Sequence, residues 1–315
     1  VRCNTTRHAG VKATFVYDAS LVESYNAEHK TSYAALPAEY LTLENTTLTV
    51  PENATASADS VKVTLTGNLS LLTERNYLAP LRIKAEGIDA VIAQEIPNMA
   101  RLFQGPLVAN VGGFSLAEYA DNCAKLDACE NVGILEVNIS CPNVHAGGKN
   151  FGCDPHAAAE VTRAVKAVTK KPVFMKLTPN VTDITEIARA VAGAGADALS
   201  LINTLRGMRI DVNTRHPVLK MNTGGLSGPA VLPVAVRMVW EVAQAVDLPI
   251  LGMGGVSKGE DAAQMMLAGA SAVAVGTALF ADPYAPIRVR DELAALAAGQ
   301  GLERAAELIG GVKPW

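Results

Sequence analysis

Two rules of hydrophobic placement run along the chain, and they meet near Ala85. Before it, apolar residues alternate with Thr, Asn and Ser. Tyr40-Leu41-Thr42-Leu43, Thr47-Leu48-Thr49-Val50 and Val61-Lys62-Val63-Thr64-Leu65 each predict a half-buried strand. Pro51-Glu52-Asn53 and Thr66-Gly67-Asn68 supply turn chemistry, and Leu21 to His29 predicts one short helix. The pattern over residues 1–85 is that of a small all-β, sandwich-like module.

After Ala85, helical periodicity and short apolar runs take turns. Helices are predicted over Ile88 to Phe103, Leu116 to Leu126, Pro155 to Thr169, Ile184 to Val191, Ala230 to Val246 and Ala262 to Leu267. Strands are predicted at Pro106 to Val111, Gly133 to Val137, Pro172 to Lys176, Ala198 to Ile202, Pro249 to Met253 and Ser271 to Val275. Strict alternation implies a parallel sheet with right-handed crossovers. Polar residues at every strand end favour a (β/α)8, TIM-barrel type of α/β fold over an open sheet, here for residues 86–315.

Composition narrows the picture. The chain has 315 residues, 49% of them hydrophobic, which is enough for a sizeable core. A net charge of -4 argues against nucleic acid as a partner. No apolar run is long enough to cross a bilayer, and the N-terminus lacks a basic-then-apolar signal pattern, so a cytoplasmic protein is expected. Five cysteines without a C-x-x-C pair argue against a disulfide framework or a zinc ribbon, and no metal site is expected.

The chemistry gathers at the strand ends. In Glu136-Val137-Asn138-Ile139-Ser140-Cys141-Pro142-Asn143, an apolar run from Val132 gives way to amides, a hydroxyl and a thiol, and Pro142 stops the strand. A partly desolvated thiol can act as a base or a nucleophile; each polar residue, taken alone, could equally be a turn or cap. Lys176 follows Val173-Phe174-Met175 on a buried strand, so it needs either an ion-pair partner or an anion. Asn110 and Asn203-Thr204 close two further strands. Gly254-Gly255 and Gly276-Thr277 close the last two, where paired glycine turns can admit a phosphate or simply turn the chain.

Several of these segments resemble a known family. Gly87-Ile88-Asp89-Ala90-Val91-Ile92, Ala109-Asn110-Val111-Gly112-Gly113, Glu136 to Asn143, Lys176-Leu177-Thr178-Pro179-Asn180, Ile202-Asn203-Thr204, Gly224 to Pro229, Gly252 to Val256 and Gly269 to Thr277 are similar to class 1 dihydroorotate dehydrogenases. Two of them, Lys176 to Asn180 and Gly252 to Gly255, are most similar to the type B catalytic subunit. The resemblance implies oxidation of dihydroorotate to orotate, a step of pyrimidine (UMP) biosynthesis, with Cys141 removing the C5 proton and the C6 hydride passing to FMN. It implies that Asn138, Asn143, Asn203 and Thr204 hold the pyrimidine. Asn110, Asn138, Lys176 and Ile202 would line the flavin, and Gly228, Gly254, Gly255, Gly276 and Thr277 would bind its phosphate. It further implies a homodimer, working with an FAD- and iron–sulfur-containing subunit that passes electrons to NAD.

The N-terminal part resembles something else. Phe15 to Val22, Tyr25-Asn26-Ala27, Tyr33 to Tyr40, Thr49-Val50-Pro51 and Tyr77 to Ile83 are similar to the N-terminal β-sandwich domain of gut-bacterial surface lipoproteins. This module stands where the dehydrogenase family has its first two barrel strands, which carry a second lysine, and the substrate-gripping Asn segment that comes just before the equivalent of Gly87. Six strands are predicted where the barrel needs eight. The chain therefore reads as a junction of two unrelated pieces, and a weak enzyme or an impaired fusion with a surface or carbohydrate-interaction module is the expectation.

Overall fold

The computed structural model describes residues 105–140 and 151–315 throughout. Before Gly105 it describes 11–17, 22, 26–27, 34–35, 41–44, 47–50, 62–65, 77–78, 81–85 and 87–103. The chain divides into two compact units, Val1–Glu95 and Ile96–Trp315.

The first unit contains β1 (Val11–Tyr17), β2 (Ala34–Ala35), β3 (Leu41–Glu44), β4 (Thr47–Val50), β5 (Lys62–Leu65), β6 (Tyr77–Leu78) and β7 (Leu81–Ala85). β1 runs between β4 and β7, antiparallel to both, and β3 pairs antiparallel with β5. The three alternating segments of the sequence are thus strands, as their pattern requires. The unit closes with helical turns, α1 (Gly87–Ala90) and a π-helical Val91–Glu95. Of the helix expected over Leu21 to His29, Val22, Asn26 and Ala27 are described, and all three are helical.

The second unit alternates helix and strand: α2 (Ile96–Leu102), β8 (Leu107–Val111), α3 (Leu116–Asp127), β9 (Val132–Asn138), α4 (Pro155–Lys166), β10 (Val173–Lys176), α5 (Ile184–Gly193) and β11 (Ala198–Leu201). A short hairpin follows, β12 (Leu205–Gly207) with β13 (Gly224–Leu226). α6 (Leu232–Ala245), β14 (Ile250–Met253), α7 (Gly259–Leu267), β15 (Ala272–Ala274) and α8 (Ala285–Gly299) complete the series. Strands β8, β9, β10, β11, β14 and β15 lie side by side in chain order, every pair parallel. This is a six-stranded part of a TIM-type barrel, in which β8 and β15 each pair on one side only among the described residues.

Local chemistry explains where the helices begin. Ser115 caps α3 by accepting from the Glu118 N–H, Asp154 caps α4 through the Ala157 N–H at 2.8 Å, and Asp183 caps α5 through the Thr185 N–H at 2.8 Å. Removing such a cap, as in Asp154→Ala, should cost about 1 kcal/mol in a urea unfolding experiment. Helix α5 buries Ile184, Ile187, Ala188 and Val191, one face at helical spacing. The helices cover the strand residues Leu135, Val137, Val173, Met175, Leu199 and Leu201, all fully buried.

Candidate active site

Strand alternation decides which side chains face the barrel interior. On β9 the neighbours of Glu136 are the helix-facing Leu135 and Val137, so Glu136 points inward. Register carries the same face across the sheet: Asn110 lies opposite Glu136, Lys176 opposite Asn138, and Ser200 opposite Lys176. Inward-facing residues of five strands, namely Val108, Glu136, Lys176, Leu251, Met253 and Ala274, line one cavity of about 890 Å³. A parallel barrel places all its strand ends on one face, and the cavity opens where β11 and β14 run out into Ile202, Asn203, Gly254 and Gly255.

Two polar networks meet this cavity. In the first, the Glu136 carboxylate accepts from the Asn110 amide at 2.5 Å and from the Lys176 ammonium at 3.2 Å, both on Oε2. Lys176 therefore has an ion-pair partner, Glu136, only 5% exposed. In the second, Asn138 Oδ1 accepts from the Ser140 hydroxyl at 2.6 Å, and the Asn203 amide donates to that hydroxyl. Asn203 Oδ1 in turn accepts from the Thr204 N–H at 2.9 Å. Asn180 braces the next turn, donating to the Thr204 carbonyl and accepting from the Arg206 N–H. Among the described residues, the inward-facing Ser200 hydroxyl is buried without a hydrogen-bond partner.

Tyr119 on α3 supports the first of these strand ends. Its hydroxyl donates to the Asn138 carbonyl at 2.9 Å, and its ring meets Phe151 edge-on with centroids 5.8 Å apart. Gly152 runs so close to Ile139 that a Cβ there would lie 2.6 Å from the Ile139 carbonyl oxygen. The residues on either side of segment 141–150 are thus fastened to each other and to α3. Tyr119→Phe keeps the ring but leaves a half-buried carbonyl without this donor, and should cost about 1 kcal/mol by denaturant unfolding.

The glycine turns form the other wall. Gly254 has φ +124 and Gly255 φ +81, conformations that side-chain-bearing residues rarely adopt. A Cβ on Gly255 would fall 2.7 Å from the Leu232 nitrogen and 2.9 Å from the Gly228 carbonyl, so the two chain segments touch backbone to backbone. Gly228 precedes the turn Pro229–Val231 that leads into α6, and Gly276 precedes the turn Thr277–Phe280. Around the Cβ positions of Gly228 and Gly276 there is open space. Backbone N–H groups exposed to a cavity at the start of helical turns are suited to phosphate oxygens.

Lys176, Ile202, Asn203, Thr204, Gly228, Gly254, Gly255, Gly276 and Thr277 line the cavity together. Asn110 and Asn138 join it through the networks described. Cys141 and Asn143 lie outside the described residues. The sequence places Ser140 in the polar cluster without assigning it a role, and it assigns none to Glu136 or Tyr119. A charge between apolar residues on a buried strand was the available signal for Glu136; nothing local marked Tyr119.

Two other thiols are distinguished by burial. Cys123 on α3 is fully buried, and burial pushes its thiol up to about 12. A thiol held neutral in the folded chain and free to ionise near its ordinary 9.0 when unfolded makes stability fall as pH rises from that value towards about 12. Cys123→Ala should flatten this alkaline loss, read as urea midpoints at neutral and alkaline pH. Native alkylation should modify the exposed Cys153 and spare Cys123 until the chain unfolds.

The fold includes a six-stranded part of a TIM-type barrel whose strand ends carry amides, a paired lysine and glycine turns. The chain belongs to the dihydroorotate dehydrogenase family: the dihydroorotate dehydrogenase sequence model matches residues 72–296. A dihydroorotate dehydrogenase B (NAD(+)) catalytic subunit from a Geobacter species is 51% identical, over 76% of this chain and 79% of that protein. The protein of the same description from Anoxybacillus flavithermus is 49% identical over 76% of each chain. A dihydroorotate dehydrogenase A (fumarate) from Lacticaseibacillus paracasei is 54% identical, over 69% of this chain and 75% of that one. In fold, the chain is similar to an Eimeria tenella dihydroorotate dehydrogenase solved with ferulenol, with TM-score 0.60, 22% identity, and coverage of 71% of this chain and 68% of that one. A second sequence model, of an N-terminal domain, matches residues 1–89.

Proposed function

We propose that the chain oxidises dihydroorotate to orotate with FMN as the hydride acceptor, in pyrimidine biosynthesis. The observation that carries this reading is one cavity with three chemically distinct walls: the amide and hydroxyl cluster of Asn203 and Thr204, the charged pair Lys176–Glu136, and the glycine turns. The cavity suits a flavin mononucleotide, because the turns leave backbone N–H groups open for a phosphate while Lys176 faces the remaining space. Gly228, Gly254, Gly255, Gly276 and Thr277 would hold that phosphate, and Asn110, Asn138, Lys176 and Ile202 would line the ring. Bound FMN supplies a ring that accepts a hydride.

The protein's own groups do the rest. Cys141, next after Ser140 in the chain, takes the proton from C5 of the substrate. Asn138, Asn143, Asn203 and Thr204 hold the pyrimidine by its amide and carboxylate groups, with the Ser140 hydroxyl fixing the Asn138 and Asn203 side chains. Lys176 offers positive charge where negative charge develops.

The final electron acceptor is proposed to be NAD, reached through an FAD- and iron–sulfur-containing partner subunit, since relatives over most of the chain are named as type B catalytic subunits. A homodimer is proposed as well. Exposed apolar residues in and around the β12–β13 hairpin, Met208, Ile210, Val212, Val218 and Met221, support it. The seam near Ala85 is proposed as the border between the surface-type module and the dehydrogenase sequence. Flavin released from the denatured protein, identified by chromatography and counted against polypeptide, tests the cofactor. Dihydroorotate-dependent reduction of NAD against that of fumarate, with and without a type B partner subunit, tests the acceptor.

A further inference from the structure

Glu136 is absorbed by none of these roles, yet it sits at the centre of the inward face. Its carboxylate lies on β9 between Asn110 on β8 and Lys176 on β10, and a single oxygen receives both donors. A buried ion pair is a weak source of stability, because desolvation of two charges offsets most of their attraction. Apolar residues, Leu135 and Val137, fill the other side of the same strand, so Glu136 is the charge that faces the cavity there. Glu136 also lines the cavity, beside the lysine it holds.

We propose that Glu136 is a positioning residue, which fixes the Lys176 ammonium and the Asn110 amide in one direction at the barrel mouth and balances the lysine's charge there. The functional part rests on the flavin reading given above. With the carboxylate present, the lysine and its partner are together neutral beside the ring. Without it, a full positive charge faces the ring and favours the reduced, more negative flavin. Glu136 thereby sets how readily the flavin gives its electrons onward.

The test uses the purified full chain and Glu136→Gln, which keeps the size and removes the charge. The first readout needs no flavin: acylation of Lys176 by an amine-directed reagent, quantified by mass spectrometry against the exposed Lys258 in the same digest. A lysine released from its carboxylate is free to swing towards the reagent, so labelling of Lys176 should rise several-fold in Glu136→Gln. The second readout is the flavin midpoint potential, which should move to more positive values. A purely structural role would lower thermal stability and leave both readouts where they were. Labelling of Lys176 unchanged in a folded Glu136→Gln protein overturns the proposal, and so does an unchanged potential in a flavin-loaded one. If the wild-type chain takes up no FMN, the flavin reading fails while the labelling still decides whether Glu136 anchors the lysine. If Glu136→Gln does not fold, Glu136→Asp, with its carboxylate drawn back by one methylene, should show intermediate labelling; wild-type labelling there counts against the proposal.

Discussion

Cys141→Ser should slow reduction of the bound flavin by dihydroorotate by about a hundred- to ten-thousandfold at neutral pH, while FMN stays in place. An unperturbed thiol is already thiolate to about a few per cent at neutral pH, so proton transfer to one is not far uphill. A serine hydroxyl is a far weaker base, and a neighbouring group must take its proton for it to act at all. Of the groups that bind substrate and flavin in the proposed site, Asn203, Thr204, Lys176 and the glycine turns belong to other strands and are untouched by the change. The loss should therefore fall on the reduction step and leave flavin content unchanged. Single-turnover mixing under anaerobic conditions reads the step directly, as loss of the oxidised flavin absorbance. Reduction at the wild-type rate would remove Cys141 from the mechanism.

Gly255→Val should abolish FMN retention, weakening binding by at least about a hundredfold. The backbone at φ +81 costs a side-chain-bearing residue roughly 1–2 kcal/mol before any contact is considered. The added Cβ would then meet the Leu232 nitrogen at 2.7 Å and the Gly228 carbonyl at 2.9 Å. Both are backbone atoms, one at the start of α6 and the other before the turn that leads into it, so the clash is relieved only by moving apart the segments proposed to hold the phosphate. Each charge-assisted hydrogen bond lost is worth about 1.5–3 kcal/mol, so two suffice for the stated effect. Gly228→Ala is the matching control for bulk without backbone collision: its Cβ meets open space, although its own φ of +101 adds strain. Equilibrium dialysis of FMN against both variants, with circular dichroism to confirm the fold, gives the comparison. Full FMN retention by Gly255→Val would take these turns out of the phosphate site.

How far sequence alone could reach follows from which forces are local. The apolar runs at Leu107–Val111, Val132–Asn138 and Val173–Lys176 announced buried parallel strands, and the polar residues after them announced the face that carries the site. Predicted strands began at Pro106, Pro172 and Pro249, one residue before the observed starts, since proline cannot donate to the ladder. The helix expected to run to Thr169 ends at Lys166, because the Thr169 hydroxyl and the Lys170 N–H both turn to the Asp127 carboxylate on α3. Helix α7 starts earlier than its apolar periodicity suggested: Asp261 accepts from the Ser257 and Lys258 N–H groups and Gly259 donates to Glu292. The β12–β13 hairpin escaped notice, since Leu205–Gly207 and Gly224–Leu226 are too short and too rich in glycine to alternate.

The site shows the same division. Asn110, Lys176 and the Asn203-Thr204 pair stood out because each ends a strand, and position in a parallel sheet does the rest. Glu136 and Tyr119 act across the sheet and from a helix, so their partners are fixed only by register and packing. A buried glutamate read alone is an anomaly; opposite Asn110 and one strand from Lys176, it becomes the third member of a charged cluster.

The most direct test of the account is the visible absorption spectrum of the purified chain, after incubation with FMN and removal of the excess, taken before and after anaerobic addition of dihydroorotate. The account predicts the bands of protein-bound oxidised flavin, which fade when dihydroorotate is added and return on exposure to oxygen. A chain that emerges colourless, or whose flavin keeps its oxidised spectrum through prolonged incubation with dihydroorotate, would contradict it.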